Sequence, residues 1–218
     1  MRFRTVIFDC DSTLSAIEGI DELAGPHRAE VARLTARAMA GEVSLETVYG
    51  SRLDLLQPTR AQVVALGRQY IECLVPGAHE TVATLRRDGV VVQVMSGGLL
   101  PPVLDLARHL DIPDDRVAAV PIWFDEDGRY AGFDAACPLA HTGGKRRWIE
   151  AHRDRLPRPI LMVGDGATDL ETRPVVDCFA AFTGVVRRPP VADAADVELA
   201  GPSLLDVLTF AHAAPELP

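Results

Sequence analysis

Long hydrophobic runs are missing from this 218-residue chain. Apolar stretches such as residues 90–95 and 160–163 are strand-sized, far short of the ~20 residues a membrane helix needs. The opening MRFRTVIFDCD is basic and then apolar, but its apolar stretch stops at Asp9, too short for the core of a secretion signal. Cysteine is scarce: Cys10, Cys73, Cys137 and Cys178 stand far apart, with no C-x-x-C pair, and read as reduced thiols of a cytoplasmic protein. Positive charge is also short. Lys and Arg total 22 against 31 for Asp and Glu, a formal charge of -9 with no basic block. That balance argues against a grip on nucleic acid or an anionic membrane. It also repels phosphates, so any phosphate site needs cations of its own.

Several catalytic signatures are absent too. The six histidines form no H-E-x-x-H. A cysteine phosphatase places Arg six residues after its Cys, and those positions hold Ala16, His79, Gly143 and Gly184. Gly143-Gly144-Lys145 is followed by Arg146, and the P-loop's upstream glycine position is Leu139. Gly164-x-Gly166 ends in Asp169, so it is no dinucleotide fingerprint.

What is present alternates between strand and helix. Runs at 5–8, 90–95, 160–163 and 178–182 lack polar alternation, as strands covered on both faces do. Helical patterns at 77–87, 103–110 and 145–153 lie between them. The stretch from Glu18 to Cys73 has no strand pattern; Val31, Leu34 and Ala38 recur at helical spacing, and Thr59-Arg60-Ala61-Gln62 is a capping box. Residues 122–134 read as a hairpin turning at Asp127-Gly128, and 187–196, with Pro189-Pro190, as a surface loop. The expected fold is α/β: a Rossmann-like parallel-sheet core over 1–15 and 76–218, with an inserted all-helical cap over 16–75.

Polar residues follow three of the runs: Asp9-Cys10-Asp11-Ser12-Thr13, Ser96-Gly97-Gly98, and Gly164-Asp165-Gly166-Ala167-Thr168-Asp169. Ligands of open parallel sheets bind beyond the carboxyl ends of strands, so these clusters and Lys145 can share one crevice. Residues two apart in extended chain face the same way, which puts Asp9 and Asp11 on one site and turns Cys10 into the core. Alone, a D-x-D reads as ordinary strand-end and helix-cap aspartates. Two carboxylate pairs with a serine strand end and a Gly-Gly-Lys point instead to a hard cation, Mg²⁺, joining Asp9, Asp11, Asp165 and Asp169.

A carboxylate beside Mg²⁺ suits nucleophilic attack on phosphorus. At about 3.3 Å its charge opposes a phosphate dianion by about 10 kcal/mol at an effective dielectric of about 20, hence the need for the metal and Lys145. Asp11 is then the acid that protonates the leaving oxygen and the base that later activates water.

These four motifs resemble those of the haloacid-dehalogenase-like phosphohydrolases. Glu18-Gly19-Ile20-Asp21-Glu22-Leu23-Ala24, Arg37-Ala38-Met39, Arg52-Leu53 and Ala131-Gly132-Phe133-Asp134 bring the chain closest to the phosphoserine phosphatases within that superfamily. The resemblance implies Asp9 as the nucleophile that becomes an aspartyl phosphate and Asp11 as acid/base. It implies Mg²⁺ on Asp9, the backbone carbonyl of Asp11, and Asp165, with Asp169 supporting that site from behind. Ser96 and Lys145 would hold phosphate oxygens, with Ser12, Gly97, Gly98 and Thr168 also at the substrate. Glu18 and Arg52 in a closing cap would read the amino and carboxylate ends of phosphoserine, beside a pocket wall at Met39. The expected partner is a small phosphomonoester, the expected state a monomer or homodimer without a regulatory domain at either end. A phosphotransferase passing the group to homoserine, a phosphatase of another small ester, and a receiver-like phosphoacceptor module are the alternatives. Asp11 and the helical insert argue against the last.

Overall fold

Apolar runs without alternation become the inner strands of a sheet buried on both faces. The computed structural model describes residues 3–39 and 45–213. In chain order its strands are β1 (Thr5–Phe8), β2 (Val91–Leu99), β3 (Val117–Val120), β4 (Ile122–Phe124), β5 (Tyr130–Phe133), β6 (Ile160–Gly164), β7 (Cys178–Phe182) and β8 (Val197–Leu199). Six of them form one parallel sheet in the order β3-β2-β1-β6-β7-β8. Every residue of β1, β6 and β7 is buried.

Helices cover both faces. They are α1 (Gly19–Glu22), α2 (Arg28–Met39), α3 (Leu45–Leu56), α4 (Arg60–Glu72), α5 (Ala78–Arg87), α6 (Leu100–His109), α7 (Gly144–Ala151), α8 (Ala167–Leu170), α9 (Pro189–Ala192) and α10 (Leu205–Ala213). Val6, Phe8, Leu161 and Val163 pack on one face with Val82 of α5, Leu106 of α6 and Val207 of α10. Ile7, Ile160, Met162 and Phe179 pack on the other with Ile149 of α7 and Val191 of α9. The period of two along each strand thus divides one apolar run between two cores. No described helix is long and apolar enough to cross a membrane.

Helices α1 to α5 lie between β1 and β2, and the strandless stretch of residues 18–73 holds α1 to α4. The capping box at Thr59 forms: its side chain accepts from Gln62 N–H, and the Gln62 side chain accepts from Thr59 N–H. Val63, Leu66, Gly67 and Tyr70 line the buried face of α4, which packs on α6. The hairpin β4–β5 turns at Asp127-Gly128, with Gly128 at φ 77°.

Four expectations need correcting. Strand β2 runs on to Leu99, so Ser96-Gly97-Gly98 lies inside the strand rather than after it. Helix α6 starts at Leu100, not at residue 103, because proline is tolerated in a first helical turn. Helix α7 spans 144–151 rather than 145–153. Residues 187–196 are no plain surface loop: they contain α9, with Val191 and Ala192 buried. Strands β3 and β8 were not expected. Val117-Ala118-Ala119-Val120 has little β propensity of its own, and Val197-Glu198-Leu199 is a three-residue edge; both exist because a neighbouring strand pairs with them.

Candidate active site

The parallel register places Phe8 beside Val163 and Val94, and Asp9 N–H donates to the Val163 carbonyl at 2.9 Å. Asp9 and Asp165 therefore leave adjacent strands side by side. Helix α8 returns Asp169 to the same point, where a side chain on Gly164 would collide with its carboxylate at 2.3 Å. Oxygens of Asp9, Asp165 and Asp169, all buried, lie within 4.8 Å of one another. Lys145, near the start of α7, reaches in from the other side. Its Nζ lies 2.7 Å from Asp9 Oδ1 and 2.5 Å from Asp169 Oδ1.

Asp11 also faces the site, and Cys10 is buried in the core between the two aspartates. Gly19 N–H and the Tyr70 hydroxyl both donate to Asp11 Oδ1, at 2.7 and 2.6 Å, and Ser96 Oγ to Oδ2 at 3.3 Å. Gly19 is the residue that fits there, since a Cβ would come within 1.9 Å of the Tyr70 hydroxyl.

These groups border one cleft of about 280 Å³. Asp9, Asp11, Asp165 and Lys145 form its sheet side; Gly97, Gly98 and Thr168 border it, and Glu18 and Arg52 face it from the helical stretch. Ser12 and Ser96 touch this site through its residues: Ser12, in the left-handed region at φ 52°, donates to Glu18 Oε1 at 2.7 Å, and Ser96 donates to Asp11 while accepting from Gly98 N–H. Arg52 pairs with Asp21 Oδ1 at 2.5 Å. The side chain of Met39 lies outside the described residues.

Arg188, Tyr70 and Tyr49 were missed. Arg188, just before α9, bridges Asp165 Oδ2 at 2.9 Å and Glu18 Oε1 at 3.0 Å, tying the sheet side to the helical stretch. Its place in a presumed surface loop hid it. Tyr70 is legible only as one more apolar position on the α4 stripe. Tyr49 lines the cleft from α3.

The electrostatics are those of crowded acid. Asp9, Asp11, Glu18, Asp165 and Asp169 share Lys145 and Arg188. Burial, then the charge of Asp169, pushes the Asp9 carboxyl well above the usual range, with Lys145 opposing. Burial raises Asp11 despite the donors on it. Burial and Asp169 lift Asp165 to about 6, and burial and Asp11 lift Glu18 to about 7, with Arg188 opposing both. Burial works against the charge of Lys145, yet Asp169 and Asp9 outweigh it and hold the ammonium above its ordinary range. Hard oxygen donors carrying excess negative charge suit a divalent cation. Asp169 spends one oxygen on Lys145 and the other on Gly166 N–H, whereas Asp9 Oδ2 meets no protein donor among the described residues.

Comparison with known proteins identifies the family of this chain. A family model for haloacid dehalogenase-like hydrolases matches residues 3–172. The phosphoserine phosphatase of Bos taurus is 41% identical over 194 residues, covering 88% of this chain and 86% of that protein. That of Homo sapiens is 42% identical over 191 residues, covering 86% and 85%. A solved substrate-bound phosphoserine phosphatase complex superposes with a TM-score of 0.79 at 25% identity, covering 96% of this chain and 99% of that one. The chain belongs to the haloacid dehalogenase-like hydrolase family.

Proposed function

We propose that this chain hydrolyses O-phospho-L-serine to L-serine and phosphate through a phosphoryl group carried on Asp9. The observation that carries the reading is the pairing of Asp9 and Asp11 on one cleft, with the Lys145 ammonium 2.7 Å from Asp9 and with Glu18 and Arg52 across from them. Relatives more than 40% identical bear the name of that activity.

In this reading Asp9 attacks phosphorus, the bond from phosphorus to the serine oxygen breaks, and Asp11 gives that oxygen its proton. Asp11 then takes a proton from water, which attacks the aspartyl phosphate and frees Asp9. Lys145 holds the phosphate, with Ser96, Gly97, Gly98, Ser12 and Thr168 beside it. Glu18 faces the amine and Arg52 the carboxylate, with Met39 on the pocket wall. Mg²⁺ on Asp9, Asp165 and the Asp11 carbonyl, backed by Asp169, would neutralise the acidic cluster and draw charge from the phosphate. Residues 16–75 act as the cap over a core of 1–15 and 76–218. Cys10, Cys73, Cys137 and Cys178 form no disulfide, which supports a cytoplasmic setting.

A panel of phosphoserine, phosphoethanolamine and other small phosphomonoesters, with and without homoserine, tests the assignment. Phosphoserine should give serine and free phosphate fastest, EDTA should stop the reaction and Mg²⁺ restore it. Arg52→Ala should cut kcat/KM for phosphoserine by about 10²-fold, as lost charged hydrogen bonds of about 1.5–3 kcal/mol each imply. Phosphoethanolamine, which lacks the carboxylate, should lose little further. Equal loss for both substrates, or phosphoryl transfer to homoserine without free phosphate, would overturn it.

A further inference from the structure

Among the described residues, two buried side-chain polar atoms have no hydrogen-bond partner: the hydroxyl of Tyr49 and Nε of Arg52. Buried donors are nearly always satisfied, because desolvation without a partner is costly. Both residues sit on α3, three apart and so on one helix face, and both line the same cleft. The coincidence of two unmet donors at one place points to an acceptor that arrives from outside the chain.

The geometry defines that acceptor. Tyr49 is only 5% exposed, and its ring packs at 5.3 Å against Phe133 of the hairpin. The ring is thus held while the hydroxyl is left over. Burial keeps the phenol protonated far above its ordinary range, so it stays a neutral donor. Arg52 Nε can only donate. One NH₂ of the guanidinium is already committed to Asp21, which partly neutralises its charge and leaves a ligand less than the full fork. Two donors with nothing to receive them suit one group with several lone pairs, a carboxylate.

We propose that the Tyr49 hydroxyl is a specificity-determining donor to the substrate carboxylate, acting beside Arg52. This rests on the phosphoserine reading. Tyr49 favours phosphomonoesters that carry a carboxylate over those that end at the amine.

Tyr49→Phe removes the hydroxyl and keeps the ring against Phe133. The experiment measures kcat/KM of wild type, Tyr49→Phe and Arg52→Ala on phosphoserine and phosphoethanolamine, with a melting curve for each. The preference of Tyr49→Phe for phosphoserine over phosphoethanolamine should fall about tenfold or more, the size of one charge-assisted hydrogen bond. Most of the change should lie in KM, and inhibition by serine should weaken in step. The melting temperature should hold or rise, since an unmet buried hydroxyl is removed. An unchanged preference, an equal loss on both substrates, or a lower melting temperature would each overturn the proposal. If Arg52→Ala is selective for phosphoserine while Tyr49→Phe is silent, Tyr49 alone is wrong. If Arg52→Ala is unselective too, the phosphoserine reading itself fails.

Discussion

Replacing Lys145 by Met tests the charge balance on which the site rests. The lysine side chain is 4% exposed, and its Nζ touches Asp9 and the fully buried Asp169. Methionine keeps much of the apolar stem but takes away the ammonium. Asp9, Asp165 and Asp169 then stand together, and among the described residues the cation still paired with them is Arg188, on Asp165. Without the ammonium the Asp9 carboxyl, already held up by burial and Asp169, rises further, so the folded variant binds protons more readily than wild type. Breaking a buried ion pair from one side costs ~3–5 kcal/mol. For a chain of 218 residues, that is a fall of about 6–20 °C in melting temperature, at roughly 2–4 °C per kcal/mol. At pH 5 the raised carboxyls are more fully protonated with or without the lysine, so the penalty should shrink. Urea unfolding of chelated wild type and Lys145→Met at pH 5 and pH 7 reads this directly. A loss of equal size at pH 5 and pH 7 would mean that lysine serves packing. No loss at pH 7 would mean that the aspartates do not depend on it.

Asp9→Asn should hold its fold and keep less than about a thousandth of the turnover, because an amide is a poor nucleophile; phosphate release measures it. Asp11→Asn should slow turnover by about 10²–10⁴-fold and let the phosphorylated chain accumulate, visible as added mass on the intact protein. Asp165 at about 6 and Glu18 at about 7 are raised above their unfolded values. Between about pH 4.5 and 7 the folded chain therefore binds more protons than the unfolded one, and the contribution of these groups to stability falls as pH rises. In chelated protein Asp165→Asn should flatten that decline, as urea midpoints at pH 5.5 and 7.5 will record; an unaltered slope would remove Asp165 from the account.

The sequence by itself determined the elements whose signals are local. Thr5-Val6-Ile7-Phe8 and Ile160-Leu161-Met162-Val163 are β-rich runs, and each is followed within two residues by an aspartate. Reading what lies just past such strand ends was enough to collect Asp9, Asp11, Asp165 and Asp169, because parallel strands deliver their carboxyl ends to one edge. The Thr59 capping box and the Asp127-Gly128 turn were legible for the same reason: each is closed by residues a few positions apart. Only the tertiary structure decided the rest. Strand β3, half of it alanine, and the three-residue β8 carry little signal of their own and depend on the strand each pairs with. The tyrosine that holds Asp11 stands 59 residues away in the chain, and Arg188 reaches Glu18 across 170. Propensity and capping act between near neighbours, whereas these contacts depend on how α4 and the segment before α9 pack onto the sheet. No spacing in the sequence records that packing.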